Sequence, residues 1–236
     1  MKNISNDQKI DITMTAVKRQ GILKRTLESF CENMFIERDR YRLIINIDSI
    51  GEKVKPKNVI KLCNRFFKME QIVYNVSITP LFPQAVIWTW KQVEAPWVFH
   101  LEDDWILNMP VDINDMIEMM KTHNLTSLRL NKNKTRRSKV GIKYGYTPHP
   151  KISLNPTLFD GTFIKKMVPF MTPEQNPEKQ LRIGKVKEPR GKLLMGLRHG
   201  IYSKLSYRAM VTDIGRIWMQ HSRYTKNVGF KNWNTK

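Results

Sequence analysis

Residues 97–107 read WVFHLEDDWIL, an apolar run broken by three adjacent carboxylates, Glu102, Asp103 and Asp104. Carboxylates this close repel one another, and holding them at the end of a buried strand is costly unless a cation or strong donors compensate. A divalent metal carrying a diphosphate suits such a cluster, because Mg2+ and Mn2+ accept carboxylate oxygen. The plainer alternative is an acidic turn after a core strand, with all three side chains solvated. Trp97, Phe99, Trp105 and Ile106 bracket the acids and place the turn at a packed edge. That context leaves a metal or phosphate role standing beside the solvated turn.

The elements that must position these acids are legible in the first half. Ile10 to Val17 is a short β-branched, apolar run, and Ile22, Leu23, Leu27, Phe30 and Met34 follow at helical spacing. Tyr41 to Ile47 reads as a second buried strand, followed by a helix carrying Val59, Ile60, Leu62, Cys63, Phe66 and Phe67. Gln71 to Val76 supplies a third strand and Gln84 to Val93 a third helix, before the strand Trp97 to Leu101 runs into the acids. Strand and helix alternating at these lengths predict right-handed crossovers and a mainly parallel sheet. The acids then fall at the C-terminal edge, where open α/β sheets bind ligands. Asp112 is a predicted N-cap for a helix reaching His123, and Leu125 to Leu130 a returning strand. Beyond it the alternation fades, and residues 226–236 read as a polar tail docked by Phe230 and Trp233.

Length and composition bound the rest. A chain of 236 residues fits one globular unit. No apolar stretch reaches the ~20 residues of a membrane span, and MKNISNDQK has no apolar signal region, so a soluble, cytoplasmic protein is expected. Cys31 and Cys63 form no CxxC pair and occupy apolar helical positions, which predicts reduced core residues. The net charge of +20 is unevenly placed: residues 1–118 hold 16 basic and 16 acidic side chains, residues 119–236 hold 25 and 5. Lys132, Lys134, Arg136, Arg137, Lys139 and Lys143 crowd a stretch without acids. Such a field attracts a polyanion, with nucleic acid favoured over a solubility role or an anionic membrane surface.

TAVKRQGILKRTLESF, IINIDSIGE and VFHLEDDW, in that order on successive strands, resemble the nucleotide-sugar half of GT-A glycosyltransferases, particularly the family-two type, over roughly residues 10–110. The resemblance implies an α/β GT-A (Rossmann-like) fold, with a mainly parallel central sheet flanked by helices. It implies one domain, with residues 1–118 as the nucleotide-sugar half and 119–236 as an irregular, basic acceptor lobe. It also implies that Thr15, Ala16, Val17 and Arg19 contact the nucleotide and that Asp48 meets the base or ribose. Asp104 would ligate the metal, while Glu102 and Asp103 reach the ribose or sugar. ISLNPTLFDGTFIKKM resembles an acceptor-side segment in which an Asn-Pro turn precedes a strand and helix, making Asn155 a candidate. TDIGRIWMQHS resembles a C-terminal element where related enzymes place a metal or diphosphate ligand, often a His ahead of Ile-Gly. Here Asp213 stands in that place and His221 lies eight residues on. Both are candidate metal ligands, and Arg216 a candidate diphosphate contact; Asp213 could equally cap a helix.

Glu174 and Glu178, rare acids in the second half, are candidate general bases for an acceptor hydroxyl, or caps of helices starting after Pro173 or Pro177. The expected function is Mn2+- or Mg2+-dependent transfer from a nucleoside diphosphate sugar, UDP-glucose or similar, to a hydroxyl. The basic half points to DNA carrying a hydroxymethylated pyrimidine, as in a bacteriophage-type enzyme acting in host cytoplasm. Reaching a base in a duplex implies base flipping, with Tyr144, Tyr146, Tyr202 and Tyr207 as stacking or core residues. The alternatives are a cytosolic transferase building surface polysaccharide or lipopolysaccharide, and a non-catalytic nucleic-acid binder on the same scaffold.

Overall fold

The computed structural model describes residues 9–132, 144–182, 190–203, 209–226 and 233–235. β1 (Ile10–Lys18) is buried along almost its whole length, as a strand covered on both faces must be. α1 (Gln20–Asn33) buries Leu23, Leu27, Phe30 and Cys31, a stripe at spacings of three and four. β2 (Tyr41–Gly51) leads into α2 (Pro56–Cys63), whose first residue is a proline that needs no amide partner there. β3 (Ile72–Ser77), α3 (Phe82–Lys91) and β4 (Trp97–Glu102) complete the repeated strand and helix units.

β1 pairs in parallel with β2 and β4, and β2 in parallel with β3, so four C-terminal ends share one edge. After β5 (Trp105–Leu107), α4 (Ile113–His123) carries the chain to β6 (Ser127–Arg129). Asp112 caps α4 through the amide of Asn114 at 2.8 Å, and Asn124 ends it in the left-handed region at φ 50°.

The second half adds β7 (Tyr146–His149), β8 (Thr157–Asp160), α5 (Gly161–Met167), α6 (Pro177–Gln180), α7 (Arg190–Leu194) and β9 (His199–Tyr202). The eight-stranded sheet has the order β3-β2-β1-β4-β8-β6-β9-β7. β8 lies between β4 and β6, antiparallel to both, so β4 and β6 still run in one direction, as the crossover through α4 requires. β7 is antiparallel to β9. Thus the parallel rule holds strictly among β1 to β4 and is relaxed in the second half. α1, α2 and α4 cover one face, packing on Ile12, Met14 and Phe99; α3 and α5 cover the other through Val86, Trp90 and Ile164. Cys31 and Cys63 are buried, and burial pushes both thiols up to about 12, so they pack as apolar groups.

Two short antiparallel pairs finish the chain. β10 (Val211–Asp213) pairs with β5, and α8 (Gly215–His221) follows. β11 (Tyr224–Lys226) pairs with β12 (Trp233–Thr235), so the expected docked tail is a hairpin; Phe230 lies outside the described residues.

Candidate active site

Glu102 is the last residue of β4, and Asp103 and Asp104 form the turn into β5. Asp103 and Asp104 are buried and do not form a solvated turn. Their compensating cation is Arg19, itself only 2% exposed, immediately after β1. Its Nη2 lies 2.5 Å from Asp103 Oδ1 and 2.8 Å from Asp104 Oδ2, and its Nε donates to Asp103 Oδ2 at 3.0 Å. The amide of Val17 also donates to Asp103 Oδ2 at 3.1 Å, and the Asp103 amide donates to the carbonyl of Thr15 at 3.1 Å. Burial opposes the Arg19 charge, but Asp103 and Asp104 outweigh it and hold the guanidinium above its ordinary pKa. Burial conversely pushes the Asp103 carboxyl up, against the pull of Arg19. The Trp218 ring of α8 lies 5.2 Å from the same guanidinium. Arg19, expected at the nucleotide, therefore holds the acidic turn on the end of β1.

The second half reaches this turn through the β5 and β10 pair, in which Asp213 sits opposite Trp105. The Ile214 amide donates to the Asp104 carbonyl at 2.9 Å, which sets α8 directly against the acids. Only glycine fits at its start, since a Cβ on Gly215 would lie 2.0 Å from Asp104 Oδ2. A cleft of about 200 Å³ opens here, lined by Glu102, Asp104, Lys132, Glu178, Asp213 and Arg216, with Asn155, Phe82 and Trp105 also on its wall. Asp213 Oδ2 is 3.4 Å from Arg216 Nε and 3.7 Å from Lys132 Nζ. Its Oδ1 accepts the amide of Gly215, the first residue of α8, at 3.1 Å, while the N-cap position itself is Ile214, so a contact with the helix start and a place in the cleft coexist in one residue. Lys132 lies over the Trp105 ring at 5.0 Å.

Glu178 is in the first turn of α6, but the N-cap is Asn176, which accepts from Lys179. The Glu178 carboxylate instead accepts from Ser153 Oγ at 3.0 Å, the Leu154 amide at 2.9 Å and Arg182 at 3.2 Å. It fastens the segment carrying Asn155 to the cleft, and Asn155-Pro156 does precede the expected strand and helix, β8 and α5. Glu174 is exposed and does not line the cleft. His221 lies instead on a neighbouring cavity of about 380 Å³, with Glu52, Lys53 and Trp218. Thus Glu178, Asp213 and Arg216 join the acids, whereas Glu174 and His221 do not.

Asp48 is buried at the C-terminal end of β2, opposite Val17 on β1. Burial raises its pKa to about 7, helped by the nearby charge of Asp103 and opposed by hydrogen bonds from Asn46 and the Leu81 amide. Of the expected stacking residues, Tyr146 and Tyr202 are core, and the Tyr202 hydroxyl donates to Asp115 at 2.7 Å. Tyr144 is 40% exposed; Tyr207, Lys134, Arg136, Arg137, Lys139 and Lys143 lie outside the described residues. Lys132 was visible in sequence only as one of a basic run. Its signal as a cleft residue is its place just past the end of β6.

Set against solved structures, the chain has the GT-A glycosyltransferase fold. It is similar to residues 1–349 of S. aureus TarS, with a TM-score of 0.57 at 13% identity over 87% of this chain and 60% of that one. The same protein in complex with UDP-GlcNAc gives a TM-score of 0.53 at 12% identity, covering 87% and 58%. Mannosyltransferase PcManGT from Pyrobaculum calidifontis, in complex with GDP-Man and Mn2+, gives 0.57 at 7% identity, covering 89% and 58%. The chain thus spans about 60% of the length of the TarS 1–349 chain. No protein-family model and no curated protein matches the sequence. Among the described residues, no helix is long and apolar enough to cross a membrane.

Proposed function

We propose that the chain transfers a sugar from a nucleoside diphosphate sugar, a UDP-sugar first, to a hydroxyl acceptor. The observation that carries this reading is the single cleft joining Glu102 and Asp104 from the sheet edge to Asp213, Arg216, Lys132 and Glu178 from the basic half. Solved proteins of this fold hold UDP-GlcNAc, or GDP-Man with Mn2+.

The donor set suits a hard divalent cation. Among the described residues no cluster of three or more His, Cys, Asp or Glu stands ready to hold a metal. Mg2+ needs no such cage, because one or two carboxylates and the substrate's phosphates suffice. Asp104, whose Oδ2 is taken by Arg19, and Asp213 are the residues that would hold it. When bound, the ion neutralises the departing diphosphate. Lys132 and Arg216 add positive charge to the same leaving group, and Phe82 and Trp105 supply an apolar part of the cleft wall. Glu178 is the cleft carboxylate best placed on the acceptor side to take a hydroxyl proton, while Asp48 meets the base or ribose.

DNA carrying a hydroxymethylated pyrimidine is the proposed acceptor, because 25 of the 41 basic residues and only 5 of the 21 acids lie in residues 119–236. Donor hydrolysis with UDP-glucose and Mn2+, lost in Asp104→Ala, tests the enzyme; no turnover across a panel of nucleotide sugars refutes it. Transfer of radiolabelled sugar to hydroxymethyluracil or hydroxymethylcytosine DNA tests the acceptor. Failure of transfer together with salt-insensitive DNA binding removes DNA and leaves a polysaccharide acceptor.

A further inference from the structure

β6 ends in Arg129, and the strand register sets the polar side chains around it. Ser127, His199 and His149 share one row across β6, β9 and β7, and Arg129, Ile201 and Thr147 share the next. Residues two apart on a strand face one side of the sheet, and Ser127 Oγ lies 3.0 Å from His199 Nδ1 on that side. Opposite Arg129 on β8 is Thr157, whose hydroxyl donates to the Ser153 carbonyl at 3.1 Å. Ser153 Oγ in turn donates to Glu178, so Arg129 and the cleft carboxylate border one segment.

Arg129 is only partly exposed, yet among the described residues it has no hydrogen-bond partner and no ion pair. Burial holds its guanidinium below the ordinary pKa, and the charge of Glu178 opposes this. Arg182 gives Nη2 to Glu178 at 3.2 Å, but among the described residues its buried Nε has no partner. His149 joins them: burial lowers its pKa, and the charges of Arg129, Lys151 and Arg182 lower it further, against the hydrogen bond to the Lys151 carbonyl. Three cations thus act on His149, and the carboxylate nearest to them in effect, Glu178, is already engaged by Ser153, the Leu154 amide and Arg182. A partly buried guanidinium without its own anion is a costly arrangement that an anionic ligand would relieve.

We propose that Arg129 and Arg182 form an anion subsite on the acceptor side of the cleft, which holds a phosphodiester group flanking the acceptor nucleotide. This rests on the proposed reading of the acceptor as DNA. A guanidinium presents parallel N–H donors that match two phosphate oxygens, and the donors of Arg129 and the Nε of Arg182 are not spent inside the described protein. A nucleotide turned out of a duplex swings about its own backbone, so fixing one flanking phosphate fixes where its hydroxymethyl group stops relative to Glu178. An uncharged sugar acceptor would leave these donors unmatched.

The experiment is fluorescence anisotropy of a labelled hydroxymethyluracil duplex with the full chain. It is repeated with duplexes in which the phosphate on the 5′ or the 3′ side of the modified base is a neutral methylphosphonate. In wild type, one of the two neutral linkages should weaken binding about tenfold. Arg129→Gln should weaken the native duplex by a similar factor, lower the salt slope by about one, and show no further loss with that linkage. Lys166→Gln removes an equal charge from an exposed position of α5 and should leave the linkage effect intact. Circular dichroism and melting verify the fold of each variant. Phenylglyoxal labelling of wild type, read by peptide mass spectrometry, needs no variant: bound duplex should protect Arg129 and UDP should not. Additive losses in Arg129→Gln, no loss from either linkage in wild type, or Arg129 labelling that bound DNA leaves unchanged each overturn the inference alone. Absence of duplex binding at low salt overturns it together with the DNA reading, and UDP binding measured on the same sample shows whether the donor reading stands.

Discussion

Replacing Arg19 by methionine gives the sharpest physical test of how the acidic turn is held. The substitution keeps an unbranched chain beneath Trp218 and removes the only cation paired to Asp103 and Asp104 among the described residues. Breaking a buried ion pair by deleting one partner costs about 3–5 kcal/mol, because the remaining charge stays desolvated. For a domain of this size, each kcal/mol moves the melting temperature by about 2–4 °C, so a drop of roughly 6–20 °C is expected at pH 8.

The pH dependence separates charge from packing. Burial already pushes the Asp103 carboxyl up, and without Arg19 it rises further. A carboxyl whose folded pKa is raised contributes stability fully present below its unfolded pKa and lost as pH climbs through the folded value. The deficit of Arg19→Met relative to wild type must therefore be largest at pH 8 and shrink towards pH 5. Adding Asp103→Asn, which removes the stranded charge, should restore a large part of the loss in a double-mutant cycle. Urea denaturation at the two pH values measures all of this. A deficit below about 1 kcal/mol at pH 8, or one that neither varies with pH nor responds to Asp103→Asn, refutes Arg19 as the compensating cation.

Asp48 makes a parallel prediction with a smaller charge cluster. Its folded pKa of about 7 lies well above the ordinary 3.8, so wild type should lose stability as pH rises through 7, by roughly 4 kcal/mol at most. Asp48→Asn should flatten that part of the profile in urea titrations at pH 5 and 8. Gly215→Ala should push the Asp104 carboxylate from its seat and raise the half-saturating Mn2+ concentration about tenfold or more in donor hydrolysis; an unchanged value would show that α8 can yield. Glu178→Gln should lower kcat by about 100-fold or more in sugar transfer, whereas Glu174→Gln, exposed and outside the cleft, should stay near wild type.

The contrast between Arg19 and Lys132 shows which parts of the site a linear sequence can express. The first half was readable because each strand and helix there declares itself by local periodicity, and a parallel sheet brings successive strand ends to one edge. Glu102, Asp103 and Asp104 stood out there as a break of acids at a strand end, whereas Asp48 was a candidate only through the resemblance of its motif. Where each side chain points at that edge is a tertiary matter: Arg19, 84 residues from Asp103, neutralises the acids in place of lying open to a nucleotide. The second half hides more, because its described strands are only three or four residues long, leaving little periodicity to read. Asp213 reaches Trp105 by a three-residue ladder. His221, two turns further along α8, is carried to a different cavity by the helix that keeps Asp213 and Arg216 at the cleft. Two of the second half's five acids, Glu178 and Asp213, stand on the cleft wall with Lys132 and Arg216. Solubility needs no such placement in a half so rich in base. On the proposed function these carboxylates stand where a diphosphate and an acceptor hydroxyl would meet, and Asp104→Ala and Glu178→Gln test the two roles separately.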